Sequence, residues 1–261
     1  MTPRAAITLP VTALCGGTDS RALPEETPVA LVYNGSTLAV MMATPADLSD
    51  LAIGFTLSEG LANAADLSEV EIVEHPHGIE ARQWLSKARA EALAQRRRAM
   101  AGPVGCGLCG IDSLEQAARK VPTVRPGAPI SVTEIARALD SLRSAQPLHD
   151  ATRAVHAAAL WSGTMDLVRE DVGRHNALDK LIGAMAHGGQ APQTLVLTSR
   201  ISVEMVQKAA MAGFGVIASV SAPTAAGVRL ADQAGIALVT HNRHGTQIFS
   251  HPHRITSGEP Q

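Results

Sequence analysis

Two cysteines stand two residues apart in Gly105-Cys106-Gly107-Leu108-Cys109-Gly110, and every residue next to them is glycine except Leu108. Glycine has no side chain to shield its neighbour and adopts positive φ freely, so this stretch leaves both sulfurs accessible on a supple loop. A structural cysteine is more at home among Leu, Ile and Val. Three kinds of chemistry use a C-x-x-C pair. Zinc binding calls for four ligands, and although the chain has ten histidines it has no second cysteine pair. A zinc deaminase would pair H-x-E with P-C-x-x-C, whereas Pro103 here precedes Cys106 by three residues. Dithiol exchange of the thioredoxin type places its motif at a helix start after a strand, with bulkier flanks. In the third, a thiolate takes the terminal sulfur of a donor persulfide and carries it to an acceptor. On chemistry alone the order is sulfur relay, redox pair, then zinc, with all three open.

Other polar blocks accompany this loop. From Arg82 to Arg98 six basic residues face one acid, Glu91, which makes either a solvated helix face or an attractor for an anionic ligand or acidic partner. Asp112, with Glu115 three residues on, caps a short helix just after the cysteines, and a helix start favours a thiolate. In Glu170-Asp171-Val172-Gly173-Arg174-His175-Asn176-Ala177-Leu178-Asp179-Lys180, a helix would stack Asp171, His175 and Asp179 at i, i+4 and i+8. His175 then serves as a general base or, more plainly, braces the helix start through a hydrogen bond. Ser199-Arg200-Ile201-Ser202 ends a strand and opens a helix, a turn that suits an anion or an ordinary cap. Between Asp232 and Glu259 there is no carboxylate, while Arg243, Arg254 and four histidines accumulate. His241, Asn242, Arg243, His244, Gly245 and Thr246 form a loop at the carboxyl end of an expected strand, where open α/β sheets bind ligands. Arginine grips phosphate bidentately, so a phosphorylated ligand fits; a solvated hairpin turn is the plainer alternative.

The elements that must position these residues fall into two styles. Residues 25–42 read as a β-hairpin around Asn34-Gly35, which supplies two positive φ angles. A helix follows, with Thr44 as cap, Pro45 first, Asp47 in the first turn and Gly60 at its end; Leu48, Leu51 and Phe55 face a core. Glu59 opposes the dipole at that helix end, which asks for a partner elsewhere. Ser131 and Glu134 make a capping box for a helix that buries Ile135, Leu139 and Leu142. Four prolines break up 121–150 as a border. Beyond 153 apolar strands alternate with helices near 174–187, 203–213 and 224–234, ending in an edge strand TQIFS. The expected organisation is a flexible arm over 1–24, a smaller α+β domain over 25–130 that carries the cysteine loop, and an α/β domain over 131–261.

Composition narrows the partners. Only six aromatic residues are present and the net charge is −2, so neither ring stacking on bases nor broad nucleic-acid binding is supported. Three cysteines are too few for a secreted disulfide framework, and no apolar run approaches the ~18 residues of a membrane span, so a cytoplasmic protein is expected.

With these blocks assembled the sequence resembles the FdhD family, the sulfurtransferase accessory proteins of formate dehydrogenase. The resemblance runs from about Glu25 to Arg254 and rests on ATPADLSDLAIGFTLSEG at 43–60, CGLCG at 106–110, HAAALW at 156–161, EDVGRHNALDKLIG at 170–183, SRISVEMVQKAAMAGF at 199–214 and HNRHGTQIFSHPHRI at 241–255. It implies an α/β fold, cytidine-deaminase-like in its C-terminal domain (a sheet covered by helices), with a smaller α+β companion. It also implies a sulfurtransferase that takes persulfide sulfur from a cysteine desulfurase. The acceptor it implies is the bis-molybdopterin guanine dinucleotide molybdenum cofactor, bound as substrate, and the beneficiary is formate dehydrogenase. Cys106 matches the persulfide cysteine, Cys109 its companion, and His241–Thr246 the cofactor loop, with no metal site. Many relatives carry an aromatic residue where His241 stands. A homodimer is the implied assembly, and a cofactor chaperone without sulfur transfer is the alternative function.

Overall fold

The computed structural model describes residues 4–12, 14, 17–91, 93, 121–125 and 127–258. Cys106, Cys109, the Arg96–Arg98 run and the Asp112 cap lie outside the described residues.

The chain opens with β1 (Ala6–Thr12) and β2 (Thr18–Pro24), paired antiparallel as a two-stranded ribbon where an arm was expected. Next come β3 (Thr27–Tyr33) and β4 (Ser36–Ala43), the expected hairpin: Asn34 at φ 49° and Gly35 at φ 77° form its turn. With β5 (Glu71–His75) and β6 (Gly78–Gln83) they complete a four-stranded sheet in the order β4-β3-β6-β5.

Helix α1 (Leu48–Ser58) covers this sheet, burying Leu48 and Leu51, while Gly60 leaves it at φ 66°. Its start differs from the sequence expectation. Asp47, at φ 52°, is the residue before the first turn, and Thr44 and Pro45 lie outside the helix. A distant contact overrides the local cap: the Thr44 N–H donates to Asp171 Oδ2 at 3.0 Å, and the Val172 N–H donates to Thr44 Oγ1 at 3.2 Å. Thr44 therefore docks onto the C-terminal part of the chain.

That part is a six-stranded sheet in the order β13-β12-β11-β10-β8-β9. Its strands are β8 (His156–Trp161), β9 (Met165–Asp171), β10 (Thr194–Leu197), β11 (Val216–Ser219), β12 (Ala237–Asn242) and β13 (Gly245–Ile248). The central run β10-β11-β12 is parallel, and β8 and β13 flank it antiparallel. Strands β7 (Ile130–Ser131) and β14 (Ile255–Thr256) form a separate parallel pair. Helix α2 (Val132–Ser144) begins with the expected box, the Glu134 N–H donating to Ser131 Oγ at 3.1 Å and the Ser131 N–H to Glu134 Oε2 at 3.2 Å. A short α3 (Pro147–Thr152) follows.

Helices α4 (Arg174–Gly188), α5 (Val203–Ala212) and α6 (Ala225–Ala234) cover one face of the large sheet. There Leu160, Leu195, Ile217 and Leu238 meet Leu178, Leu181, Met205, Val206 and Ala231. On the opposite face Ala159, Trp161, Val196, Ala218 and Val239 meet Ile135, Leu139 and Leu142 of α2. The period-2 alternation of the strands supplies both faces, which is why their sequences read as near-continuous apolar runs.

The two sheets are joined through α1 and α4, which cross with their backbones almost touching. A Cβ on Gly54 would overlap the Asp179 carbonyl and stand 2.9 Å from the Gly183 nitrogen, and a Cβ on Gly183 would overlap the Asp50 carbonyl. These two glycines are therefore required by proximity, since both have ordinary helical φ. Among the described residues no helix is long and apolar enough to cross a membrane.

Candidate functional site

Strands β9, β10, β11 and β12 all run toward one end of the large sheet, and β8 begins there. The topology thus gathers His156, the Asp171–His175 turn, Thr198–Ser202, Ser219–Thr224 and the His241–Thr246 hairpin at a single rim. Helices α4, α5 and α6 also start at this rim, so three positive dipole ends point into it. Four of the sequence blocks singled out for chemistry meet here, at the usual ligand end of an open α/β sheet.

The loops are locked together. The Ala157 N–H donates to Thr198 Oγ1 at 2.9 Å, Ser219 Oγ donates to the Ser199 carbonyl at 2.8 Å, and the Thr224 N–H donates to the Ile201 carbonyl at 3.0 Å. Ser202 stands before α5 as expected, but its hydroxyl donates to Glu204 Oε2 at 2.6 Å and makes no side-chain cap bond. Burial works against the Glu204 carboxylate, yet the Ser202 hydroxyl, its own backbone N–H and the nearby Arg174 guanidinium hold it below the usual range.

His241–Thr246 forms the turn between β12 and β13. The His241 and Thr246 side chains meet at 2.8 Å (Nδ1 to Oγ1), the His244 N–H donates to Asn242 Oδ1 at 2.9 Å, and Gly245 sits at φ 94°, where a Cβ would be strained. Arg243 Nε donates to His244 Nε2 at 3.0 Å, and both side chains are exposed. Among the described residues Arg243, Arg200 and Arg174 of the rim have no carboxylate ion-pair partner. The loop is a solvent-facing hairpin turn, and its guanidinium is available to an anion.

At the other side of the rim, burial and the neighbouring Arg174 guanidinium lower His156 and push His175 down to about 4. The His175 and Asp179 pair lies on α4, but Asp171 ends β9, three residues before the helix, so the three do not stack as the spacing suggested. Nor is His175 a hydrogen-bonded brace. Its Nε2 is buried without a hydrogen bond, with Glu204 Oε2 the nearest acid at 3.9 Å, and Arg174 Nε is buried and unbonded too. A histidine that is neutral in the fold and protonates more readily when unfolded costs stability in acid. Stability should therefore be intact above pH 6.5 and fall as pH drops from there toward 4. The His175 ring proton shift in an NMR titration should show no protonation midpoint near 6.5; a midpoint there would contradict the assignment.

Most of the block from Glu170 to Lys180 holds the two sheets together. Lys180 and Asp171, both fully buried, pair at 2.6 Å. The Lys180 ammonium also donates to the Thr44 carbonyl at 2.9 Å, and Asp171 Oδ1 accepts from the Gly173 N–H at 2.7 Å and Asn176 Nδ2 at 2.9 Å. Glu170 accepts from the Leu148 and His149 N–H groups and so caps α3. One turn along α4, Asp179 Oδ1 accepts from the Ser58 hydroxyl at 2.6 Å, and Lys208 of α5 reaches both Asp179 Oδ2 at 2.9 Å and Glu59 Oε1 at 3.1 Å. This is the partner that the position of Glu59 asked for. Burial alone would lower Lys208, but the two carboxylates outweigh it and hold the ammonium above the ordinary lysine value. Removing one member of such a pair leaves a charge stranded, so Lys180→Met should cost about 3–5 kcal/mol. Adding Asp171→Asn should recover much of that loss, measured by denaturant titration of the four proteins of the cycle.

The sequence reading did not find Arg174 and His156, because only strand order brings them beside Ser199–Ser202. Their signal was present in the HAAALW and EDVGRH blocks, whose polar residues sit next to apolar strand runs.

Comparison with known proteins places this architecture. A family model described as FdhD/NarQ matches residues 24–256. A Bordetella petrii protein named sulfur carrier protein FdhD is 49% identical over 245 residues, covering 91% of this chain and 88% of its own. An Agrobacterium fabrum protein of the same name is 50% identical over 254 residues, 94% of each chain. Among solved structures, a protein assigned as a formate dehydrogenase accessory protein from Desulfotalea psychrophila superposes with a TM-score of 0.73 at 25% identity, covering 97% of this chain and all of the other.

Proposed function

The chain belongs to the FdhD/NarQ family, and on that footing we propose that it is a sulfur carrier serving the maturation of formate dehydrogenase. The observation that carries the reading is near-half identity, across nine-tenths of the chain, with proteins named sulfur carriers, in a sequence whose one C-x-x-C pair lies among glycines.

The donor is a cysteine desulfurase in persulfide form. The Cys106 thiolate attacks the terminal sulfur of that persulfide, a new S–S bond forms on Cys106, and the donor S–S bond breaks with its electron pair leaving on the desulfurase thiolate. Cys109 then assists onward transfer or release. The acceptor substrate is the bis-molybdopterin guanine dinucleotide molybdenum cofactor, with a guanine nucleotide held at His241–Thr246. Two features support that placement: the exposed Arg243 guanidinium, which has no carboxylate partner among the described residues, and the three helix starts at the same rim. On the family resemblance we also read the six-stranded unit as cytidine-deaminase-like and the protein as cytoplasmic.

Complementation tests the function. A bacterial strain lacking its own carrier should regain formate dehydrogenase activity when this chain is supplied, and continued absence of activity would overturn the proposal. Arg243→Ala should weaken GDP binding about tenfold by calorimetry, the worth of one charge-assisted hydrogen bond. Unchanged affinity would remove the hairpin from the site.

A further inference from the structure

Strand β13 is an edge of the six-stranded sheet, paired with β12 on one side and with no described strand on the other. The register sets Ile248 opposite Val239, and beyond it the Phe249 N–H donates to the Leu238 carbonyl at 2.9 Å. Antiparallel pairing alternates, so Gln247 and Phe249 turn their backbone groups toward β12, while Thr246 and Ile248 turn theirs outward. Among the described residues no backbone group pairs with these outward N–H and C=O groups. Sheet edges are usually guarded by charge, proline or a bulge, because an open edge is a template for another strand. Here the edge residues are Gly245, Thr246, Gln247 and Ile248, in unbroken register with β12, so none of these guards is present. Ile248 and Phe249 are moreover 39% and 37% exposed, one on each face of the sheet.

We propose that β13 is a docking edge for an extended acidic segment of a partner protein, which adds to the large sheet as a further strand. The charges decide the occupant. No carboxylate occurs from Gln233 to Gly258, and the strand is bracketed by Arg243 and His244 before it and by His251 and His253 after it. Asp232 of α6 already faces His251 at 3.7 Å, whereas Arg243 has no ion-pair partner among the described residues. A second copy of this edge would set the arginine and histidines against their own kind. A foreign strand with carboxylates at its two ends meets them with the opposite charge. In such pairing the main chain supplies the affinity through the outward groups of Thr246 and Ile248. The Ile248 and Phe249 side chains then select one apolar neighbour on each face of the added strand.

Fluorescence anisotropy of a labelled synthetic peptide, a Val-Thr-Val core between glutamates, tests this on the full chain. The peptide should bind, and the same core between lysines should bind about tenfold more weakly or worse. Ile248→Pro removes an outward N–H while sparing the pairing to β12, a position where an edge strand tolerates proline. It should weaken the glutamate peptide about tenfold, and Ile248→Val, which keeps the N–H, should leave the affinity near that of the parent. Melting temperature and GDP binding of the proline variant should match the parent, which shows that the neighbouring hairpin is intact. Hydrogen exchange of the unaltered chain gives a reading that needs no variant: the peptide should slow the Thr246 and Ile248 amides. A chain that ignores the glutamate peptide, or binds the lysine peptide as well, would overturn the proposal. So would a folded proline variant with parental affinity, or bound peptide that leaves those two amides unprotected.

Discussion

Cys106→Ala is expected to reduce formate dehydrogenase activation to the level of a strain without the carrier. The effect is total because the sulfur atom is the cargo's point of attachment, and alanine has no lone pair to form the S–S bond. Cys106→Ser keeps the shape and should fail equally, since a hydroxyl is not ionised at neutral pH and cannot form a persulfide. The fold should survive both changes, because each alters a single side-chain atom at a glycine-flanked position. Activation assays, with melting temperatures and GDP binding matched to the parent, check this. Full activation by the alanine variant would end the relay account.

Gly54→Ala is the second large effect, and it acts through packing alone. Alanine in an exposed helix interior would gain about 1 kcal/mol over glycine. Here the added methyl overlaps the Asp179 carbonyl, which is backbone and has no rotamer to yield. The helices must part, and with them go the Ser58–Asp179 and Lys208–Asp179 contacts beside the crossing. A loss of about 4 kcal/mol or more is expected, a large share of the 5–15 kcal/mol typical of a whole domain. Insoluble expression, or a melting temperature lowered by many degrees, would register it. A variant as stable as the parent would show that the crossing has slack.

Local rules made much of this legible. Asn34-Gly35 announced its hairpin, Ser131 with Glu134 announced its capping box, and the alternation after residue 153 announced a sheet with helices between its strands. The failures share a cause. Thr44 looked like a helix cap and Asp171 like a helical residue because nothing nearby says that they bind each other across 127 positions. Once that contact forms, the Thr44 backbone serves Asp171 and Lys180 rather than α1. The Glu170–Lys180 block suggested a stack of Asp171, His175 and Asp179 on one helix face, yet Asp171, Asp179 and Lys180 spend their charges on burial and docking. The rim was half legible: the His241–Thr246 turn and Ser199–Ser202 were found as separate anion-suited turns, but their meeting with Arg174 and His156 follows from strand order. The ribbon was missed because a short alternating stretch containing Pro10 reads equally as an arm.

The central claim is that Cys106 carries sulfur, and peptide mass spectrometry tests it most directly. The purified chain is incubated with a cysteine desulfurase and cysteine, digested without reductant, and the peptide holding Cys106 is weighed. A gain of one sulfur atom on that peptide, removed by dithiothreitol and absent from Cys106→Ala, is the predicted result. An unmodified Cys106 peptide from a protein that still binds GDP would contradict the account and leave a cofactor chaperone in its place.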